Sequence, residues 1–243
     1  MKLQNQILHV GKYLFQYRGQ IPILLILIAA PVIYKSSYYA QIPIETQLIL
    51  KYIAILIAFF GLMIRFITVA TTPIGTSGKN RKKQVANQLN TTGIYSIVRN
   101  PLYLANYLIW LSLSIYSLSY LMVMITSLFF FIIYEKIILV EEDFLTKKYQ
   151  KKYESYSLRT PCFVPNFNNY IKSNINFNFK KIIREEYSST LSTIISFIYI
   201  DILTYFIFTG ATHLNKAHIL IILTSVSIVL ILKILKTYTS LLT

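Results

Sequence analysis

Long apolar runs separated by short polar intervals dominate this chain. A helix that crosses a bilayer needs roughly 20 mainly apolar residues, and six stretches meet or approach that length, at about 19–36, 47–70, 102–118, 120–140, 188–209 and 217–236. The third and fourth come from one run, Leu102 to Tyr134, which holds no charged residue and is too long for a single crossing. A turn is therefore predicted near Ser117 to Tyr120. The pattern predicts an all-α fold, a polytopic transmembrane helical bundle of about six spans.

Beyond the fourth run the helical periodicity persists. Glu142, Leu145, Tyr149, Tyr153 and Tyr156 fall on one stripe, Arg159 continues it, and Pro161 stops the helix. Lys147, Lys148, Lys151 and Lys152 occupy the remaining arc. This pattern predicts a cytoplasmic interfacial amphipathic helix, tyrosines toward lipid and lysines toward head groups. The chain divides into an N-terminal span and loop (1–46), a core (47–166), a polar linker (167–187) and a C-terminal two-span hairpin (188–243).

Composition sharpens the membrane reading. The 243 residues are 55% hydrophobic and 14% charged, with mean hydropathy +0.53, too apolar for a domain whose surface must be wet. The net charge of +15 raises nucleic acid as a partner. With the N-terminus in the cytoplasm, however, twenty of the 24 Lys and Arg fall on the inner side, which makes most of the charge a matter of topology. Both termini are then cytoplasmic, and no nucleic-acid partner is needed. ILLILIAAP behind a basic region could be a secretory signal peptide, but the polar stretch before it is long and no small-x-small site follows. With Cys162 alone and three scattered histidines, no metal is expected. GTSGKN lacks the P-loop spacing and no GxG occurs, which argues against nucleotide and Rossmann-type sites. The basic run Lys79 to Lys83 is expected against anionic head groups.

Candidate chemistry sits where polar residues border the apolar runs. In GIYSIVRNPLYLANYL, Pro101 suits the first turn of a helix and Asn100 falls near its N-cap. Arg99 beside that helix start makes an anion seat, or else one more positive-inside anchor. Glu141, Glu142 and Asp143 stand where the fourth run leaves the membrane. Paired acids opposite an arginine suit a zwitterionic ligand bearing an amine and a carboxylate.

These residues carry a resemblance. Leu89-Asn-Thr-Thr-Gly93-Ile-Tyr95, then Val98-Arg99-Asn100-Pro101-Leu-Tyr103, and about forty residues on Glu141-Glu142-x-x-Leu145, Tyr149, Tyr153, Tyr156, Arg159 and Pro161, together resemble the isoprenylcysteine carboxyl methyltransferase and phospholipid methyltransferase superfamily of integral membrane methyltransferases. Gly61-Leu-Met-Ile-Arg65 resembles an upstream element of bacterial members. The resemblance covers about 53–166. It implies a membrane enzyme using S-adenosylmethionine, with Gly93, Tyr95, Arg99, Asn100, Pro101, Tyr103, Glu141 and Glu142 as cofactor contacts. It also implies Arg159 at the methyl-acceptor end, so that Arg159 and Glu142 are the catalytic candidates. Asn100 stands where the family pattern has histidine, and Ala105 where glycine is common. The acceptor implied is lipophilic: a prenyl-linked carboxylate, a lipid phosphate or a phospholipid head group. An amine acceptor would need a base, Glu or Tyr. Two other classes compete. One is an NADPH-dependent membrane reductase, since certain sterol reductases share related motifs. The other is a non-catalytic membrane protein or transporter, to which Arg65 and Asp201 within spans lend support; in the milder reading Arg65 snorkels and Asp201 bonds hydroxyls of a neighbouring helix.

Overall fold

The computed structural model describes residues 3–36, 42–73, 84, 86–212 and 214–239. The basic run Lys79 to Lys83 and the whole of GTSGKN lie outside the described residues. Among the described residues the fold is all-helical, without strands.

Helix α1 (Leu3–Tyr17) and helix α2 (Ile21–Lys35) meet at a break bent by 84°. Helix α3 (Ile44–Ala70) follows, then a one-turn helix α4 (Ile94–Ile97) and α5 (Pro101–Tyr116). Pro101 occupies the first turn of α5, where its missing N–H costs nothing. The turn expected between the third and fourth runs is present at Ser117 to Ser119. Leu118 takes φ +57° there, and the Ser119 hydroxyl accepts from the Met122 amide at 3.1 Å to cap α6 (Tyr120–Tyr149).

Among the described residues four helices are long and apolar enough to cross a membrane: α3, α6, α8 (Phe179–Thr209) and α9 (Lys216–Tyr238). The bent α1–α2 pair makes a fifth if taken as one span. The expectation of about six spans is thus met as far as four or five helices by length and apolarity. Stretch 102–118 forms α5, only 16 residues and so about 24 Å long at ~1.5 Å per residue. It packs against α3, α6 and α8 and buries Tyr103, Ala105, Ile109 and Trp110, so its length is matched to its helical neighbours rather than to lipid. Gly61 of α3 permits that packing, because a Cβ there would stand 3.0 Å from the Ala105 carbonyl oxygen. Gly11 does the same for α1, where a Cβ would collide with the Lys136 carbonyl of α6.

The single exit helix is corrected too. Gln150, at φ +46°, ends α6 and begins a separate α7 (Lys151–Arg159). Tyr153 and Tyr156 are buried within the protein, not turned to lipid, because their rings fill the angle between α7 and the loop before α5.

Residues 160–178 form a strap across this face. A 3-10 turn at Phe167–Asn169 precedes an antiparallel pairing of Ile171 with Gly93, whose amide donates to the Ile171 carbonyl at 2.8 Å. Gly93 takes φ +62°, a conformation that favours glycine. Helix α8 starts at Phe179, its N-cap Asn178 accepting from the Lys181 amide at 2.9 Å. Its buried Lys181 donates from Nζ to the Thr72 carbonyl at 2.6 Å, giving the C-terminal end of α3 a cation and a donor. None of the described residues of α9 is buried, which befits a helix whose surroundings are acyl chains.

Candidate active site at the inner end of the bundle

A cavity of about 630 Å³ runs between α1, α2, α3, α5, α6 and α8, with described residues of the loop before α5 in its lining at one end. Its depth follows from its walls. Glu142 and Thr126 both line it and lie sixteen residues apart on α6, about 24 Å at ~1.5 Å per residue. An acidic, aromatic end by Glu141, Tyr95 and Tyr153 leads into a deep arm beside Trp110, Ser114 and Ile200.

Arg99 organises the acidic end. Its Nη2 and Nε donate to one carboxylate oxygen of Glu142, at 2.8 and 3.0 Å. Its Nη1 donates to the Ser157 and Thr160 carbonyls, at 2.6 and 3.0 Å, at the C-terminal end of α7. Four of its five N–H groups are thus engaged by the protein itself. Burial works against the guanidinium's charge, but the adjoining carboxylate outweighs it and the group is held protonated more firmly than usual. The sequence placed an anion seat here; the anion it holds is Glu142.

The other expected residues divide. Tyr95, Asn100, Pro101, Tyr103, Glu141 and Glu142 line the cavity with Arg99. Asn100 is the N-cap of α5, but its side chain makes no cap and instead donates to the Cys162 carbonyl at 3.1 Å. Gly93 and Arg159 do not line the cavity. Gly93 is a backbone turn holding the strap, and Arg159 is exposed, its carbonyl accepting from Asn169 at 2.7 Å.

The tyrosine stripe secures the loop. The Tyr156 hydroxyl donates to the Tyr95 carbonyl and the Tyr149 hydroxyl to the Ala86 carbonyl, both at 2.7 Å. Burial above all pushes the phenols of Tyr95, Tyr153 and Tyr156 up, so near neutral pH they serve as hydrogen-bond donors and not as bases. Burial also pushes the Cys162 thiol up, and the Glu142 carboxylate adds to that effect.

Sequence reasoning missed the second polar knot of the cavity. Arg65 of α3 donates from Nε to one carboxylate oxygen of Glu186 at 2.7 Å and from Nη2 to the other at 3.2 Å. It also bonds the Asn106 side-chain oxygen and the Ser189 hydroxyl. The arginine therefore does not snorkel. Glu186 is fully buried in a stretch read as linker; the one signal available was an acidic pair, Glu185-Glu186, directly before an apolar run. Asp201, by contrast, stands outside the cavity lining. It accepts from the Tyr116 hydroxyl at 3.1 Å, as the milder reading expected of a neighbouring hydroxyl, and pairs with Lys51 at 2.8 Å.

Four of the nine carboxylates, Glu141, Glu142, Glu185 and Glu186, line this one cavity, with Arg18, Arg65 and Arg99. In a protein of net charge +15, that local balance of acids suits a ligand with cationic groups. Among the described residues no group of three or more His, Cys, Asp or Glu stands together as a metal site.

The "Cobalt-zinc-cadmium resistance protein CzcN" of Cupriavidus metallidurans is 34% identical over 84 residues, which cover 35% of this chain and 38% of that protein. The matched part of this chain thus corresponds to well under half the length of that curated relative. No solved structure matches. The family model for phospholipid methyltransferase matches residues 50–152, from the upper part of α3 to the start of α7. The matched residues resemble that family, as the motifs of the sequence did, and they supply the Arg99–Glu142 end of the cavity.

Proposed function

We propose that this integral membrane protein transfers a methyl group from S-adenosylmethionine to a lipophilic acceptor at the cytoplasmic face of its membrane. The observation that carries the reading is the joining, in one cavity, of Glu141, Glu142, Arg99 and Tyr95 at its acidic end to an arm that reaches into the bundle. The residues present fit such a donor: carboxylates for its positive charge, buried aromatic side chains for its base, and room for more than one small molecule. When bound, it supplies an activated methyl group on a sulfonium.

The protein's part is placement and exclusion of water. The Arg99–Glu142 pair fixes α7 against the loop before α5, and the Tyr156 and Tyr149 hydroxyls hold that loop closed over the acidic end. A rigid, dry wall keeps donor and acceptor in line, which is where most of the rate of a displacement is gained. An acceptor that is already ionised needs no base. An amine acceptor would pass its proton to a cavity carboxylate, since the buried phenols hold theirs. The water-soluble donor reaches the acidic end from the cytoplasm, and the acceptor enters from the bilayer between the helices. In this arrangement both termini are cytoplasmic, α5 serves as a short additional crossing, and α7 lies along the membrane interface.

Incubation of the purified protein in nanodiscs with methyl-labelled S-adenosylmethionine and a total lipid extract tests the reading. Label is expected in the lipid phase; its absence there, with the donor unbound, would sink it. Base treatment identifies the acceptor, because an ester releases methanol and an N-methyl group survives.

A further inference from the structure

Helices α5 and α8 are tied together at two levels. Arg65 bridges Asn106 of α5 to Glu186 and Ser189 of α8, and farther along the Tyr116 hydroxyl of α5 donates to Asp201 of α8 at 3.1 Å. The ties come in the same order along both helices, which therefore run parallel. Between them neither helix carries a charged residue, and both line the deep arm of the cavity, with Pro22, Leu25, Ile26 and Ala29 of α2 as an apolar wall.

The α8 wall of that arm is polar. Ser188, Ser192 and Ser196 recur every four residues, so they share one face of the helix over about 12 Å at ~1.5 Å per residue, and all three line the cavity. A hydroxyl within a helix commonly donates to the carbonyl four residues back, as Thr190 does to Glu186 at 3.0 Å and Thr193 to Ser189 at 2.9 Å. The three serines have no hydrogen-bond partner among the described residues. Trp110 of α5 stands one turn beyond Asn106, a depth that Ser188 and Ser192 bracket on α8. It is 8% exposed and lines the same arm, its ring packed edge-on with Phe130 and Tyr134 at centroid distances of 5.5 and 5.6 Å. Its indole N–H also has no acceptor among the described residues. Only Nδ1 of His218 is there both sealed off and unpartnered, so the Trp110 N–H is not sealed and opens into the arm.

Four hydrogen-bond donors thus stand along one arm with nothing in the protein to receive them. An indole N–H can only donate, and a donor left unmade in a low-dielectric site costs more than a made bond gains. No cation lies on this stretch of α5 or α8 to balance a phosphate, which leaves an uncharged oxygen as the matching acceptor. Resting on the acceptor reading above, we propose that Trp110, Ser188, Ser192 and Ser196 form a seat for the ester carbonyls of a diacyl lipid that is the methyl acceptor. Its head group points to the acidic end of the cavity and its chains pass along α2. A prenyl chain has no oxygen to offer over that length. Three of the four residues lie on α8, outside the segment 50–152, so the choice of acceptor is made by a helix that the family match does not include.

Trp110 is the chain's one tryptophan, so its fluorescence reads the arm directly. The test is an emission titration of the full chain in detergent micelles with phosphatidylethanolamine in two forms, one with ester-linked chains and one with ether-linked chains that lack both carbonyls. The diester should bind about tenfold more tightly, the worth of one or two neutral hydrogen bonds, and should shift the Trp110 emission to longer wavelength. In the triple variant S188A, S192A and S196A the preference should fall to about threefold or less. Its affinity for the diether and its thermal-unfolding midpoint should stay at the wild-type values, because those hydroxyls hold nothing in the protein together. Equal binding of the two forms by the wild type, or a wild-type preference in the triple variant, would overturn the seat. So would a lowered midpoint with equal weakening of both lipids, which would make the serines structural, or diester binding that leaves the Trp110 emission unmoved. If neither lipid binds while methyl label still reaches the lipid phase, the seat alone is refuted; a diester preference without any label refutes the methyl-transfer reading instead.

Discussion

The two buried arginine knots of the cavity, Arg99–Glu142 and Arg65–Glu186, use the same chemistry to different ends. Arg99 joins a loop to the α6–α7 kink, so its carbonyl acceptors Ser157 and Thr160 matter as much as its carboxylate. Arg65 joins two long helices, α3 and α8, and every acceptor it uses is a side chain. The first knot shapes the acidic end of the cavity, and the second holds α8 against α3 along the cavity wall. Losing the first should therefore damage binding, while losing the second should damage assembly.

The largest effect is expected from Arg99→Ala. It leaves Glu142 unpaired and two carbonyls without a donor, so a loss of about 3 kcal/mol or more is expected, with donor binding falling below detection by calorimetry. Near wild-type binding would remove the contrast. Next is Arg65→Met combined with Glu186→Leu, which replaces the second knot by apolar side chains of similar volume. Stability in a thermal-shift assay should stay within about 1 kcal/mol of wild type, since apolar replacement of a buried pair is often neutral. Either single variant should be markedly less stable. Gly61→Val should come third, pushing α3 off α5 where a Cβ already stands 3.0 Å from a carbonyl, at a cost of about 1–3 kcal/mol by the usual penalty for overpacking. Tyr156→Phe should cost about 1 kcal/mol, the worth of one hydrogen bond to the Tyr95 carbonyl, and raise the proteolytic sensitivity of the loop near Tyr95. The mildest test is alkylation of Cys162. With its thiol pushed up, less thiolate exists at a given pH, so labelling at pH 8 should be slower than for a free thiol and should quicken as the pH rises. Bound donor should slow it further, because Cys162 lies beside Glu142, with Sγ 3.8 Å from its carboxylate.

The first knot was legible and the second was not. Arg99, Pro101, Glu141 and Glu142 lie in a segment whose order and spacing match a known family, and α6 presents both acids at the mouth of an apolar run. Arg65 and Glu186 are 121 residues apart, and nothing local ties them. Arg18 was counted only as a topological charge for the same reason, since its neighbours arrive through the packing of α1 on α6. The tyrosines of α7 were read as facing lipid because periodicity reports which residues share a face, not which neighbour the face meets. The turn at Gln150, a non-glycine residue at φ +46°, leaves no mark in the apolar pattern.

Hydrophobic period and length alone determined that this chain is helical and embedded in a membrane, where to look for the Ser117 to Ser119 turn, and that Pro101 begins a helix. Those properties follow from what the backbone needs in lipid, which every stretch of sequence must meet by itself. Tertiary structure alone decided that Arg99 is occupied by Glu142 and that α8 lines the cavity with Glu186. Charge pairing in a low-dielectric interior depends on distance through space, and for residues more than a hundred positions apart only the packed helices set that distance.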